Sequence, residues 1–210
     1  MKKILILFFC LIFINCKNSN KTQIHDILFE SLDSNYSGID FINQLTYKPY
    51  LNIIEYLYYY NGGGVAVGDI NNDGLEDIFF TANQEIDRLY LNMGNLQFRD
   101  ITKQAKLDLF PSWSNGVTMD DVNNDGFIDI YVSKLPMEGL FKNQSTHNLL
   151  YINNGDLTFT ESSSDYGLDF LGFSTQSTFF DYDRDGDLDM YLMNHATHSV
   201  RSYGTTKKRK

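Results

Sequence analysis

The chain has 210 residues, of which 42% are hydrophobic and 15% aromatic, and its formal net charge is −10. This composition supports a hydrophobic core and argues against a disordered chain. The negative charge argues against nucleic acid as a partner, because a phosphate backbone requires a basic surface. Much of the acidity lies in three short clusters, a distribution that solubility alone does not require.

The first 16 residues form a separate element. Lys2 and Lys3 precede an apolar run over residues 4–14, which is too short to span a bilayer and is typical of a signal peptide. The run ends at Cys16 and resembles a bacterial lipoprotein signal, in which the cysteine is lipidated; an ordinary secretory signal is the alternative. We therefore expect an exported protein, anchored through a lipid to the outer membrane of a bacterial cell envelope. Because Cys10 is the only other cysteine, no disulfide is expected in the mature protein, and bound metal is a candidate stabiliser.

The following segments are predicted in chain order. Residues 17–35 are interpreted as a polar tether and a short helix, with the helix over residues 24–32 on the basis of its apolar spacing. Residues 36–193 are assigned to repeats, and the aromatic stretch over residues 53–60 is expected to supply a strand to the first of them. Residues 194–210 are predicted to be a polar tail.

Three acidic segments repeat on the pattern Asp-x-(Asp/Asn)-x-Asp-Gly-x-x-Asp, each followed by an apolar strand. They begin at Asp69, Asp121 and Asp181, which are 52 and 60 residues apart. Residues 89–98 and 150–159 repeat as β-hairpins behind the first two segments. One unit therefore contains about four short strands, typical of a propeller blade. The predicted fold is all-β, with about two complete and one partial β-propeller-type blades after a short N-terminal leader.

The third unit ends before its hairpin. Propellers need about four to eight blades to close, and blades bury their faces against their neighbours. We therefore expect the chain to be a fragment of a longer protein; closure with partner chains is the alternative.

The three acidic loops predict calcium sites. Ca²⁺ takes about six to eight oxygen ligands, which side chains at loop positions 1, 3, 5 and 9 and the carbonyl at position 7 can supply. Gly74, Gly126 and Gly186 occupy position 6, where a sharp turn is required. The predicted ligands are Asp69, Asn71, Asp73, Leu75 and Asp77 in loop one, Asp121, Asn123, Asp125, Phe127 and Asp129 in loop two, and Asp181, Asp183, Asp185, Asp187 and Asp189 in loop three, with position 7 acting through its carbonyl. Loop three offers four carboxylates rather than three and is predicted to bind most tightly.

Other interpretations of these loops are weaker. A helical EF-hand requires Glu at position 12, which here is Phe80, Val132 or Leu192 within an apolar run. Zinc requires Cys or His, which the loops lack, and Mg²⁺ ranks second because it prefers more water and fewer protein oxygens. Asp/Asn/Gly clusters also form plain turns, but three loops with the same carboxylate spacing argue against that reading.

Residues 60–193 resemble FG-GAP/VCBS-type repeats, relatives of the calcium-binding blades of integrin α-subunit propellers. The three loops carry the resemblance, together with the run from Gly63 to Asp69 and the Leu-Tyr-x-Asn-x-Gly hairpins, which are similar to bacterial members. The resemblance implies a β-propeller, calcium in the blade loops and a role in extracellular recognition or adhesion, without catalysis.

The predicted function is a calcium-binding module for extracytoplasmic recognition of a protein or a glycan. A structural part of a larger propeller lipoprotein is one alternative, and a propeller enzyme whose active site is absent from this chain is another. No nucleophile elbow, P-loop or dinucleotide fingerprint is present, so the chain is not expected to be an enzyme. His195 and His198 are expected to be incidental surface residues, and Trp113 is expected to serve in packing.

Overall fold

The computed structural model describes residues 29–107, 109–137 and 147–196. The chain divides into two units, Met1–Leu32 and Asp33–Lys210. Of the first unit, residues 29–32 are described; they are exposed and not helical, and the rest of the helix expected over 24–32 lies outside the described residues. The predicted signal segment with Cys16, and residues 197–210 of the predicted tail, also lie outside them. Within the described ranges, no helix is long and apolar enough to cross a membrane.

The regular secondary structure of the described part of the second unit is almost all β-strand, as the sequence predicts. It opens with one helical turn, α1 (Ser34–Ser37). Asp33 caps the start of this turn, where its side chain accepts from the backbone amide of Asn35, and Gly38 caps its end with a φ of 75°. The strands are β1 (Val65–Gly68), β2 (Asp77–Phe80), β3 (Arg88–Asn92), β4 (Phe98–Asp100), β5 (Ser114–Asp120), β6 (Asp129–Lys134), β7 (Leu149–Asn153), β8 (Phe159–Glu161), β9 (Ser174–Phe180) and β10 (Asp189–Asn194).

These strands form three antiparallel sheets. The first has the order β1-β2-β3-β4, the second β5-β6-β7-β8, and the third pairs β9 with β10. The described residues thus hold two complete four-stranded blades and the first two strands of a third, as predicted. In each blade the acidic loop joins the first two strands, which pair from their loop ends: Asp77 with Gly68, Asp129 with Asp120, and Asp189 with Phe180.

The expectation of a strand over residues 53–60 is wrong, because this segment forms turns. The Asn52 side chain accepts from the amides of the next turn, which curls the chain at this point. The aromatic residues then pack inward rather than alternating across a sheet: Tyr56 and Tyr59 are buried, and their rings lie 5.5 and 5.7 Å from the ring of Trp113. Trp113 is 1% exposed and serves in packing, as expected.

The main hydrophobic core lies between the first two blades. It includes Phe79 and Leu89 from the first blade and Ile130 and Val132 from the second, all fully buried. A smaller cluster around Tyr131 joins the second blade to the third. Each blade therefore buries its apolar face against its neighbour, as blades of a repeat array do.

Strand β1 lies close to β5, and β5 lies close to β9, and glycines make this approach possible. A Cβ added to Gly64 would lie 2.7 Å from the carbonyl oxygen of Asn115, and one added to Gly116 would overlap the carbonyl oxygen of Thr175. Since both obstacles are backbone atoms, a side chain at either position would force neighbouring blades apart.

Replacing Gly116 by alanine is therefore expected to destabilise the protein by about 1–3 kcal/mol, the usual effect of overpacking. Urea denaturation of the full chain would measure this loss. Gly68→Ala is the matched control, because the added Cβ would meet only side-chain atoms of Ile128 and Met119 at 3.3 and 3.4 Å. Equal losses in the two variants would contradict the proposed role of close blade packing.

Candidate metal centre

Loop one coils tightly around its own side chains. The two carboxylate oxygens of Asp69 accept from the amides of Asp73 at 3.1 Å and Gly74 at 2.7 Å. The side-chain oxygen of Asn71 accepts from the Asp73 amide at 3.2 Å. The chain achieves this coil through left-handed backbone at Asn72 (φ 60°) and Gly74 (φ 84°), positions that suit asparagine and glycine. The oxygens at positions 1 and 3 are thereby held on the inner side of the loop.

Loop two has the same local structure as loop one. Asp121 accepts from the amides of Asp125 at 3.0 Å and Gly126 at 2.8 Å, and Asn123 accepts from the Asp125 amide at 3.1 Å. Asn124 and Gly126 take left-handed φ angles of 58° and 89°. Because each distance differs from its counterpart in loop one by 0.1 Å, the repeated sequence pattern corresponds to a repeated structure.

The aspartate at position 9 connects each loop to the sheet behind it. Asp77 is 1% exposed, and its oxygens accept from the amides of Ile70 at 3.0 Å and Asn92 at 2.7 Å. Asp129 is equally buried and accepts in the same way, from the amide of Val122 at 3.1 Å and that of Asn153 at 2.8 Å. This carboxylate therefore fixes the loop to the third strand of its own blade.

These buried carboxylates lie in an electrostatically unfavourable position. Burial raises the pKa of Asp129 to about 6; amide hydrogen bonds act against this rise, and the charges of Asp125 and Asp121 add to it. Burial likewise raises the pKa of Asp77. A carboxylate that has lost water and faces like charges is stabilised by a nearby cation. The loops therefore have the charge distribution of a cation site.

Loop three brings three carboxylates close together at the surface of the protein. Asp181, Asp183 and Asp185 each offer an oxygen atom, and these atoms lie within 4.8 Å of one another. Calcium binds oxygen at about 2.3–2.6 Å, so three atoms with this spacing can contact one ion. The side chain of Asp187, at position 7, has a raised pKa, chiefly because of its hydrogen bond to the Asp185 carboxylate. All of these aspartates are exposed, and the described part of the third blade has no third or fourth strand.

The structure places the predicted ligands at positions 1 to 7 in the three loops, and those at position 9 at the first residues of β2, β6 and β10. Among the described residues, only loop three forms a cluster of three acidic oxygen donors. In loops one and two the side chains at positions 1, 3 and 5 accept from loop amides, and the carboxylate at position 9 accepts from one loop amide and from one amide of the third strand.

The sequence that forms these loops and sheets matches the model of a known family. The model of the FG-GAP-like repeat matches residues 69–132 and 140–192, more than half of the chain. The chain belongs to the FG-GAP-like repeat family. Each matched segment starts at or before an acidic loop and contains strands of the blades described above.

Curated proteins that are similar in sequence to this chain include cartilage acidic protein 1 and integrin alpha-8. Cartilage acidic protein 1 of Homo sapiens is 31% identical over 138 residues, which cover 63% of this chain and 20% of that protein. Integrin alpha-8 of Homo sapiens is 28% identical over 167 residues, which cover 73% of this chain and 15% of that protein. The chain thus spans about a fifth or less of the length of these relatives.

Two residues that organise the hairpins of these repeats were not predicted from the sequence. Asn92 and Asn153 occupy the same place in the two hairpins, and each accepts from the amide of a turn glycine, Gly94 or Gly155, at 2.9 Å. The backbone amides of the two asparagines donate to the carboxylates of the aspartates at position 9. The repeated Leu-Tyr-x-Asn-x-Gly motif was the available signal, since an asparagine at a fixed place before a glycine suggests a side chain that organises the turn.

His195 is not an incidental surface residue. Its Nε2 atom lies 3.0 Å from the Tyr56 hydroxyl, and its ring packs 4.6 Å from the ring of Tyr58 and 5.5 Å from that of Phe173. The histidine is half-buried, and the three aromatic residues that it contacts belong to the cluster around Trp113. His198 lies outside the described residues.

Proposed function

We propose that the chain is a calcium-binding module of FG-GAP-like blades. The observation that carries this proposal is the grouping of oxygen atoms from Asp181, Asp183 and Asp185 within 4.8 Å, in a loop whose pattern recurs twice earlier in the chain. All the side-chain atoms predicted to bind the metal in the three loops are carboxylate or amide oxygens, which are the ligands that calcium prefers.

The residues present fit calcium in chemistry, because each loop offers five groups that bind through oxygen. Bound calcium supplies positive charge to the crowded carboxylates. The residues that would hold it are those at positions 1, 3, 5 and 9 of each loop, with the position 7 carbonyl. The chain contributes a preformed coil, because amide hydrogen bonds to Asp69 and Asp121 already hold loops one and two closed.

The biological role that we propose is recognition or adhesion outside the cytoplasm, without catalysis. Membership of the FG-GAP-like family and similarity to integrin alpha-8 support this role. The leader sequence supports export and lipid anchoring at Cys16 in a bacterial envelope. In this proposal the ions stiffen the blades, and a protein or a glycan binds the assembled surface.

Calorimetric titration of Ca²⁺ into chelator-treated protein tests the metal part of the proposal. We expect up to three sites, and Asp73→Ala, Asp125→Ala and Asp185→Ala should each remove one of them, because each deletes the position 5 carboxylate of one loop. Asp165→Ala is the control, since this aspartate is exposed and lies outside the loops. Absence of binding heat in a folded sample would refute the calcium sites, and equal or tighter binding of Mg²⁺ would reassign the ion.

A further inference from the structure

We propose that the loops of the first two blades bind their ions cooperatively, and that Asn153 and Asn72 are the residues that couple them. This inference rests on the proposed calcium function. Its basis is two hydrogen bonds that cross the boundary between the blades. One joins loop one directly to loop two, and the other joins loop one to the strand that supports loop two.

The first connection runs through Asn153, which is 3% exposed. Its backbone amide donates to the carboxylate of Asp129 at 2.8 Å. Its side-chain Nδ2 donates across the blade boundary to the backbone carbonyl of Ile70 at 2.8 Å. The amide of Ile70 in turn donates to the carboxylate of Asp77 at 3.0 Å. A continuous path of hydrogen bonds therefore links the position 9 carboxylate of loop two to that of loop one.

The second connection lies at the tips of the loops. The Nδ2 atom of Asn72 donates to the carbonyl of Gly126 at 2.9 Å. Asn72 stands between two predicted ligands of loop one, Asn71 and Asp73, and Gly126 directly follows a predicted ligand of loop two. A change in the shape of either loop therefore acts on residues next to the ion of the other.

These contacts couple the sites because each loop is ordered partly by the other. An ion in loop two fixes Asp129 and with it Asn153, so the carbonyl of Ile70 is already held when an ion enters loop one. The second ion then meets a loop that needs less ordering, which is positive cooperativity without a large change of shape. Thermodynamic linkage requires the effect to be equal in both directions.

The chain also contains matched positions that lack these connections. Asn92 is the counterpart of Asn153 in the first blade, and its Nδ2 donates within that blade, to the carbonyl of Glu76 at 2.9 Å. Asn124 is the counterpart of Asn72 in loop two, with nearly the same φ angle of 58°. Among the described residues, no hydrogen bond joins its side chain to loop three. Asn92 and Asn124 thus serve as controls.

The test is a calorimetric titration of Ca²⁺ into the full chain, with loop three disabled by Asp185→Ala so that loops one and two remain. Adding Asp125→Ala should weaken loop one by about 5- to 20-fold, and adding Asp73→Ala should weaken loop two by the same factor. Asn72→Gly, which keeps the left-handed backbone, and Asn153→Ala should each reduce this factor markedly. Asn124→Gly and Asn92→Ala should leave it unchanged.

The outcomes separate this inference from the function on which it rests. Binding at both loops with affinities that do not depend on each other would overturn the coupling and leave the calcium sites intact. Retention of the full factor in Asn72→Gly and Asn153→Ala, with both variants shown to be folded by circular dichroism, would overturn the assigned residues. Binding heat missing from every loop would instead refute the calcium function itself.

Discussion

Loss of ions from loops one and two is expected to lower the melting temperature of the full chain by about 10–20 °C. A ligand present at 100 times its dissociation constant stabilises the folded state by about 2.7 kcal/mol, so loops one and two together would contribute about 5 kcal/mol. For a protein of this size, about 1 kcal/mol corresponds to a shift of about 2–4 °C. The measurement is a thermal melt followed by circular dichroism, in excess Ca²⁺ and in excess chelator.

The matched control for this experiment is the double variant Asp73→Ala with Asp125→Ala. It keeps the strands and the buried aspartates at position 9 but removes one carboxylate each from loop one and loop two. Its melting temperature should depend on Ca²⁺ only through loop three, so its shift should be smaller than that of the unmodified chain by the contribution of loops one and two, about 10–20 °C. An unchanged melting temperature on chelation of the unmodified chain would show that the loops are turns that fold without an ion.

The sequence predicted the blades and loops because their determinants are local. The spacing of Asp, Asn and Gly within one loop decides its coil, and left-handed glycines at Gly74, Gly126 and Gly186 appear in the structure where the pattern requires a sharp turn. Pairing of the strands on either side follows from the same short segment, since an antiparallel pair needs only a tight connection.

Contacts between distant parts of the chain could not be predicted in this way. The side chain of Asn153 bonds to Ile70, 83 positions away, and His195 contacts Tyr56, 139 positions away. The aromatic residues over 53–60 suggested a strand because such residues favour sheets, but packing against Trp113 prevailed over that preference. Tertiary contacts of this kind leave no periodic signal in a single sequence.

Replacement of Asp129 by alanine is expected to lower the free energy of unfolding by about 2–4 kcal/mol even in the absence of calcium. Both oxygens of this carboxylate accept from backbone amides, those of Val122 and Asn153. Truncation leaves two donors without their acceptor in a site that is 1% exposed, and each such loss costs about 1–3 kcal/mol. Removal of a carboxylate with a raised pKa recovers part of that loss, because its charged form is disfavoured by burial. Urea denaturation in chelator would measure the difference.

Two further variants separate the structural role of this residue from its proposed role as a ligand. Asp189→Ala alters the same position of loop three, where the aspartate is exposed and its side chain accepts from the amide of Tyr182, so the metal-free protein should lose less than about 1 kcal/mol. Asp129→Asn keeps one acceptor oxygen and the size of the side chain, and should be less destabilising than alanine while still weakening calcium binding at loop two. If Asp129→Ala were as stable as the unmodified chain in chelator, the carboxylate would have no part in joining the loop to the sheet, and position 9 would act through the ion alone.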